Sequence, residues 1–138
     1  VVDDPVSHID IFATILDYLG AKAQPSDGET LRHLVEGQTN DAKETKYAVS
    51  EWDSTSKMPR LMVRTKRWKL FIPNTANSPL VNVMYDLEND PHEMNNLLGK
   101  NPNRLQHLAK AEELKAMLVE WLIKTDSPHV KEVKMRQL

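Results

Sequence analysis

Between Val83 and Leu97 the chain reads VMYDLENDPHEMNNL, which sets Asp86, Glu88, Asp90 and Glu93 among Asn89, Asn95 and Asn96. Side-chain oxygens at this density are the raw material of a calcium site. A helix-flanked calcium loop needs oxygen ligands at its first, third and fifth positions, glycine at the sixth and a bidentate glutamate at the twelfth. Counted from Asp86, Glu88 and Asp90 fall correctly, but the sixth residue is Pro91 and the twelfth is Leu97. The loop grammar therefore fails twice. DPHE fits a helix start instead: Asp90 as cap, Pro91 at the first helical position with φ already fixed, and Glu93 reaching back to the cap amide. The acidic cluster reads as structural.

Other chemistry is sparse. His8, His33, His92, His107 and His129 are scattered and form no H-E-x-x-H pair. With no cysteine there is no thiolate ligand, cysteine nucleophile or disulfide, a count that suits cytoplasm and periplasm equally. No G-x-S-x-G elbow, Walker loop or G-x-G-x-x-G occurs among four glycines. Carboxylates make an acid–base pair only through geometry and a perturbed pKa, and as a class they are mostly solvated. The expectation is that this chain holds no catalytic residue and no metal ligand. One cluster stands apart. Lys57, Arg60, Arg64, Lys66, Arg67 and Lys69 follow one another with no acid between them, close to Trp52 and Trp68. Such a strip can stack bases and neutralise phosphates, contact an anionic substrate, or guard the edges of a hairpin.

Whole-chain properties narrow these choices. The net charge is −2, from 18 basic and 20 acidic residues, and no nucleic-acid motif is present, so nucleic acid is not an expected partner. No apolar run has the length of a membrane span, so no membrane partner is expected either. The start, VVDDPVSHID, lacks the basic opening and apolar middle of a signal peptide; an exported parent, periplasmic or secreted, would leave no trace here, and the compartment stays open. At 138 residues, 40% apolar and 28% charged, the chain suits one modest core.

Three groups of elements can position these side chains. The spacing of Ile9, Phe12, Ile15, Leu16 and Leu19 predicts a helix from about His8 to Leu19, capped by Ser7 with Asp10 and ended by Gly20. A polar connection follows, with one helical turn around Leu31, Leu34 and Val35. The middle predicts four short strands: YAVSEW (47–52), RLMVRT (60–65), RWKLFI (67–72) and VNVMYDL (81–87). Trp68, Leu70 and Ile72 alternate with Arg67, Lys69 and Phe71, giving one apolar face. The links are too short for crossover helices, so an antiparallel meander is expected. Last comes a long helix, capped by Asn101 with Pro102 in its first turn. It bears the stripe Leu105, Leu108, Ala111, Leu114, Leu118, Trp121 and Leu122, with Glu112, Glu113, Lys115, Glu120 and Lys124 on its other sides. The stripe should cover one face of the sheet. The tail HVKEVKMRQL has no strong pattern and reads as loosely held.

The segment MYDLENDPHEMNNL resembles the region near the C-terminus of sulfatases, members of the alkaline phosphatase superfamily, where a strand ending in LYDLxxDPxExxNL leads into a turn and the final helix. Three more stretches are similar in the same order: VSHIDIFATILDYLGA to the family's DlxPTlldlaG helix, SDGETLRHLVEGQ to its dGxSLxpLLxG segment, and LMVRTKRWKLFIP to its raVRtxryKyi hairpin. Ala13 departs from the usual proline and suits a helix interior. Sulfatases use a formylglycine made from Cys or Ser in C-x-P-x-R, a calcium ion on Asp and Asn side chains, and Lys, His and Arg that grip the sulfate. No C-x-P-x-R or S-x-P-x-R is present, and Asp3 and Asp4 precede the first helix rather than matching the metal site.

The resemblance therefore implies an α+β fold: a small antiparallel sheet of about four strands packed on a long C-terminal helix, with an N-terminal helix left over from the parent α/β domain. Residues 1–45 would end the parent's catalytic domain, and residues 46–138 would form the sulfatase C-terminal subdomain. It further implies a sulfuric ester hydrolase whose calcium and formylglycine lie outside this chain, which alone should be inactive. The implied partner is the N-terminal catalytic domain, with self-association through Ile9, Phe12 and Leu16 when that domain is missing. In this family the C-terminal subdomain can border the mouth of the cleft. That singles out the loop SEWDSTSKMPR, with Trp52 as an apolar or sugar-stacking platform and Arg60 as an anion contact. A stand-alone binding module, or the corresponding part of a phosphonate or phosphodiester hydrolase, are the other readings.

Overall fold

A period of two along Leu61-Met62-Val63 and again along Leu70-Phe71-Ile72 sends alternate side chains to opposite sides of a pleated strand. The computed structural model describes residues 5–21, 27–38, 47–52 and 60–138. Its strands are β1 (Ala48–Glu51), β2 (Arg60–Arg64), β3 (Trp68–Pro73) and β4 (Val83–Asp86), ordered β1-β2-β3-β4 in one sheet. β3 pairs antiparallel with both β2 and β4, so the expected meander forms. Register sets Leu61 opposite Ile72, Val63 opposite Leu70, and Leu70 opposite Met84. All five of these side chains are fully buried. The tight β2–β3 turn is closed by Thr65, whose hydroxyl accepts the Trp68 N–H at 3.0 Å.

Helix α3 (Arg104–Lys124) covers this face, packing on β2 and β3. Ala111, Leu114, Leu118 and Leu122 are buried as expected, but Leu105 is 76% exposed and Lys115 is buried. Helical geometry explains both differences. At about 100° per residue, Leu105 lies roughly 120° from Ala111 and Lys115 only about 40° from it. The helix also begins later than expected. Asn101 caps the turn before it, its side-chain oxygen accepting the Asn103 N–H at 2.8 Å.

The tail is the larger correction. It forms helix α4 (Val130–Met135), with Val133 fully buried and Arg136 and Leu138 nearly so. His129 Nε2 lies 3.1 Å from a Glu51 carboxylate oxygen.

The chain divides into two compact units, Val1–Ala48 and Val49–Leu138. In the first, helix α1 (His8–Tyr18) starts with the Ser7 N–H donating to the Asp10 carboxylate at 2.8 Å and ends near Gly20, at φ +60. The connection passes through the one-turn helix α2 (Arg32–Val35). α1 is tied to the chain before α2 by polar contacts. Asp10 accepts the Glu29 N–H (3.0 Å), Thr14 Oγ1 accepts the Leu31 N–H (2.9 Å), and Asp17 accepts the Thr30 hydroxyl (2.7 Å). Gly28 approaches so closely that a Cβ there would stand 2.2 Å from the Ile9 carbonyl oxygen.

Candidate functional site

Trp52 directly follows β1, and its N–H donates to the Arg60 carbonyl at 2.8 Å. The sheet thus brings together the two residues singled out in the sequence. They line a recess with Ser50, Met62 and Phe71. Met62 and Phe71 face each other across β2 and β3, on the side of the sheet opposite the core. Trp52 is 67% exposed, and among the described residues the Arg60 guanidinium donates to the Val81 carbonyl at 3.3 Å, one of the five donors it carries. The combination is an apolar floor, an exposed indole and one cation. It suits a ligand with a flat or apolar face and an anionic group. Among the described lining residues there is no carboxylate, imidazole or lysine to act as an acid or base. Sequence reasoning missed Met62 and Phe71; the signal was the two-residue alternation, which sets Met62 opposite Phe71 once the hairpin turn is placed. The centre of the loop SEWDSTSKMPR, including Lys57, lies outside the described residues, as do Asp3 and Asp4.

Two cations of the basic strip, Arg67 and Lys69, pair with the acidic segment. Arg67 forks onto Asp86, Nε to Oδ1 at 3.0 Å and Nη2 to Oδ2 at 2.8 Å. It also lies 2.9 Å from a Glu88 oxygen and over the Trp68 ring at 4.8 Å. These Arg67 hydrogen bonds hold the Asp86 carboxyl below its usual range, against the opposing effect of burial and with help from Asn89. Lys69 bonds both Glu93 oxygens, at 2.7 and 3.0 Å, and sits over Phe71. Lys66 also has a partner. Arg64 alone makes no hydrogen bond or ion pair among the described residues of the strip.

DPHE does not start a helix. Glu93 adopts φ +56 and spends its carboxylate on Lys69, while Asp90 accepts the N–H groups of Met94 (3.0 Å) and Asn95 (2.8 Å) in a turn. The following residues return to the edge strand. Asn96 Oδ1 accepts the Met84 N–H at 3.0 Å, and the Leu97 N–H donates to the Met84 carbonyl at 2.9 Å. Satisfying an open sheet edge outweighs continuing a helix that has no apolar stripe of its own. All four carboxylates of the segment are engaged by donors of the chain itself. Among the described residues no group of three or more His, Asp or Glu could hold a metal, and no helix is long and apolar enough to cross a membrane.

Residues 1–122 match the family described as N-sulphoglucosamine sulphohydrolase, C-terminal. No curated protein matches the chain. Among solved structures, one of a protein in complex with its substrate D-glucosamine-2-N,6-O-disulfate is similar at TM-score 0.67 and 28% identity, over 89% of this chain and 25% of that one. A sulfatase from Bacteroides thetaiotaomicron is similar at TM-score 0.65 and 26% identity, over 89% of this chain and 27% of that one. A sulfatase from Bacteroides fragilis is similar in fold at TM-score 0.65 and 23% identity, over 90% and 26%. The chain spans about a quarter of the length of the solved proteins it resembles.

Proposed function

The chain belongs to the N-sulphoglucosamine sulphohydrolase C-terminal family, and from that premise we propose that it is the C-terminal part of a sulfuric ester hydrolase acting on a sulfated sugar. The match over residues 1–122 carries the reading. The substrate class draws on the neighbour solved with D-glucosamine-2-N,6-O-disulfate and on the character of the recess. In this role the chain completes the fold and shapes specificity without supplying the catalytic centre. Residues 1–45 contribute to the parent catalytic domain, and residues 46–138 form the C-terminal subdomain. Calcium and formylglycine belong to that catalytic domain.

Trp52 stacks on a sugar face and Arg60 contacts an anionic substituent. In the full-length enzyme, Trp52→Ala and Arg60→Ala should each raise KM for a sulfated glucosamine several-fold with little change in kcat, since they remove binding shared by ground and transition states. Unchanged KM in both variants would remove the idea. The present chain, incubated with calcium and a chromogenic aryl sulfate, should give no turnover above buffer.

One observation favours a second reading. Val49–Leu138 encloses a buried core of its own, as an independent binding module would. In that case the full chain binds a sulfated sugar with no catalytic domain present, and Trp52→Ala abolishes the binding.

A further inference from the structure

Arg136 is 9% exposed, yet no carboxylate among the described residues meets it. Its guanidinium is taken up by the oxygens of a single loop. Nε donates to Asn82 Oδ1 at 2.9 Å, Nη1 to the carbonyls of Ala76 (3.0 Å) and Ser78 (2.7 Å), and Nη2 to the Leu80 carbonyl. Alternate carbonyls aimed at one point repel each other unless a cation sits between them. A buried cation is equally costly unless such acceptors converge on it. Loop and guanidinium each need the other. The segment bearing Arg136 is itself fixed: Glu132 accepts the Ala76 N–H at 2.8 Å, Asn82 Nδ2 donates to the Gln137 carbonyl at 2.8 Å, and Lys115 Nζ donates to the Arg136 carbonyl at 2.5 Å. The next loop residue, Val81, offers the carbonyl that receives Arg60.

We infer that Arg136, in a segment beyond the matched residues 1–122, is a positioning residue: it orders loop 74–82 and thereby holds the Val81 carbonyl that aims Arg60 into the recess. The aiming of Arg60 at substrate rests on the proposed function; the ordering of the loop does not.

The test compares Arg136→Ala and Arg136→Lys in the full-length protein. Hydrogen exchange at the 76–82 amides is read against core amides of α3, with and without guanidinium at a concentration too low to denature. Arg136→Ala should lose at least about tenfold of the loop's protection, as expected for losing hydrogen bonds to a charged group. Guanidinium should restore it, and methylammonium should not. Arg136→Lys should stay deprotected, because one ammonium cannot span four acceptors; it decides the matter alone if Arg136→Ala fails to fold. Unchanged loop protection would overturn the inference, as would an equal loss in the α3 core with no rescue. The second readout is KM for the sulfated sugar, which should rise in Arg136→Ala and recover with guanidinium. If Arg60→Ala raises KM and Arg136→Ala does not, the positioning claim fails. If the loop loosens while neither variant changes KM, the proposed function of Arg60 fails and the loop device stands.

Discussion

Helices α1 and α3 both carry apolar stripes, and they meet opposite fates. α1 presents Ile9, Ile11, Phe12 and Ile15 in 11 residues, yet it buries none of them: each stays about half exposed. α3 is far richer in charge and contributes Ala111, Leu114, Lys115, Leu118 and Leu122 to the interior. Apolar content does not separate the two; a complementary surface does. α3 meets a sheet face already lined by Leu61, Val63, Leu70, Ile72 and Met84, all fully buried. Among the described residues, α1 is tied to its own unit by the hydrogen bonds of Asp10, Thr14 and Asp17. Such bonds each contribute only about 1 kcal/mol net, so the first unit should be the less stable of the two.

The sharpest way to break this contrast is to truncate one residue in each helix. Leu118→Ala should cost about 2–5 kcal/mol in urea unfolding, because it opens a cavity in a closed core. Phe12→Ala should cost less than about 1 kcal/mol in the same chain. Equal losses would mean that α1 has a core after all. Gly28→Ala comes next, at about 1–3 kcal/mol of overpacking strain, since the added Cβ would meet the backbone of Ile9. Its effect should stay local: faster hydrogen exchange along α1, with α3 amides unmoved. Loss of protection in α3 would show that the units unfold together.

A third prediction concerns the charge pair that closes the second unit. The folded pKa of Asp86 is depressed from its ordinary 3.8 by the Arg67 hydrogen bonds. Its contribution is therefore complete above the ordinary value and disappears as pH falls through the lowered one. The stability gap between the native chain and Asp86→Asn should be widest near neutrality and close in acid. A gap that is constant from neutral to strongly acidic pH would remove Asp86 from the account. The smallest effect expected on folding is that of Phe12→Ser. The isolated chain should self-associate through Ile9, Phe12 and Leu16, because an apolar patch without a partner finds one. Sedimentation should then shift toward monomer in Phe12→Ser with little change in the unfolding midpoint. A native chain that is monomeric at every concentration would argue against that face as a docking surface.

Much of the architecture was legible beforehand, residue by residue. Leu70 and Ile72 alternating with Lys69 and Phe71 implied a two-faced strand, and a two-faced strand was found. Ser7, Asp10 and Gly20 marked the ends of α1 correctly. Leu105 and Lys115 were misplaced through a coarse reading of the stripe; helical angle alone assigns both. DPHE misled for a different reason. Asp90, Pro91 and Glu93 satisfy every local rule for starting a helix, and the chain turned instead to satisfy Met84 on a sheet edge. The candidate site was half legible: Trp52 and Arg60 were named from the family resemblance and their residue types, while Met62 and Phe71 needed the register of β2 against β3.

What the sequence determined by itself is whatever repeats within a turn or a strand: the periods of two and of 3.6, the cap of α1, the glycine at φ +60, and the family motifs carried on them. The tertiary structure alone decided which partners the buried charges meet and how the tail folds. Arg136 finds its acceptors 54 to 60 residues away, and Lys115 finds the carbonyl of Arg136 across 21. Periodicity is written into neighbouring residues because the backbone geometry of each element is local. The partner of a desolvated charge is written nowhere near it, since only the folded chain brings those oxygens to one point.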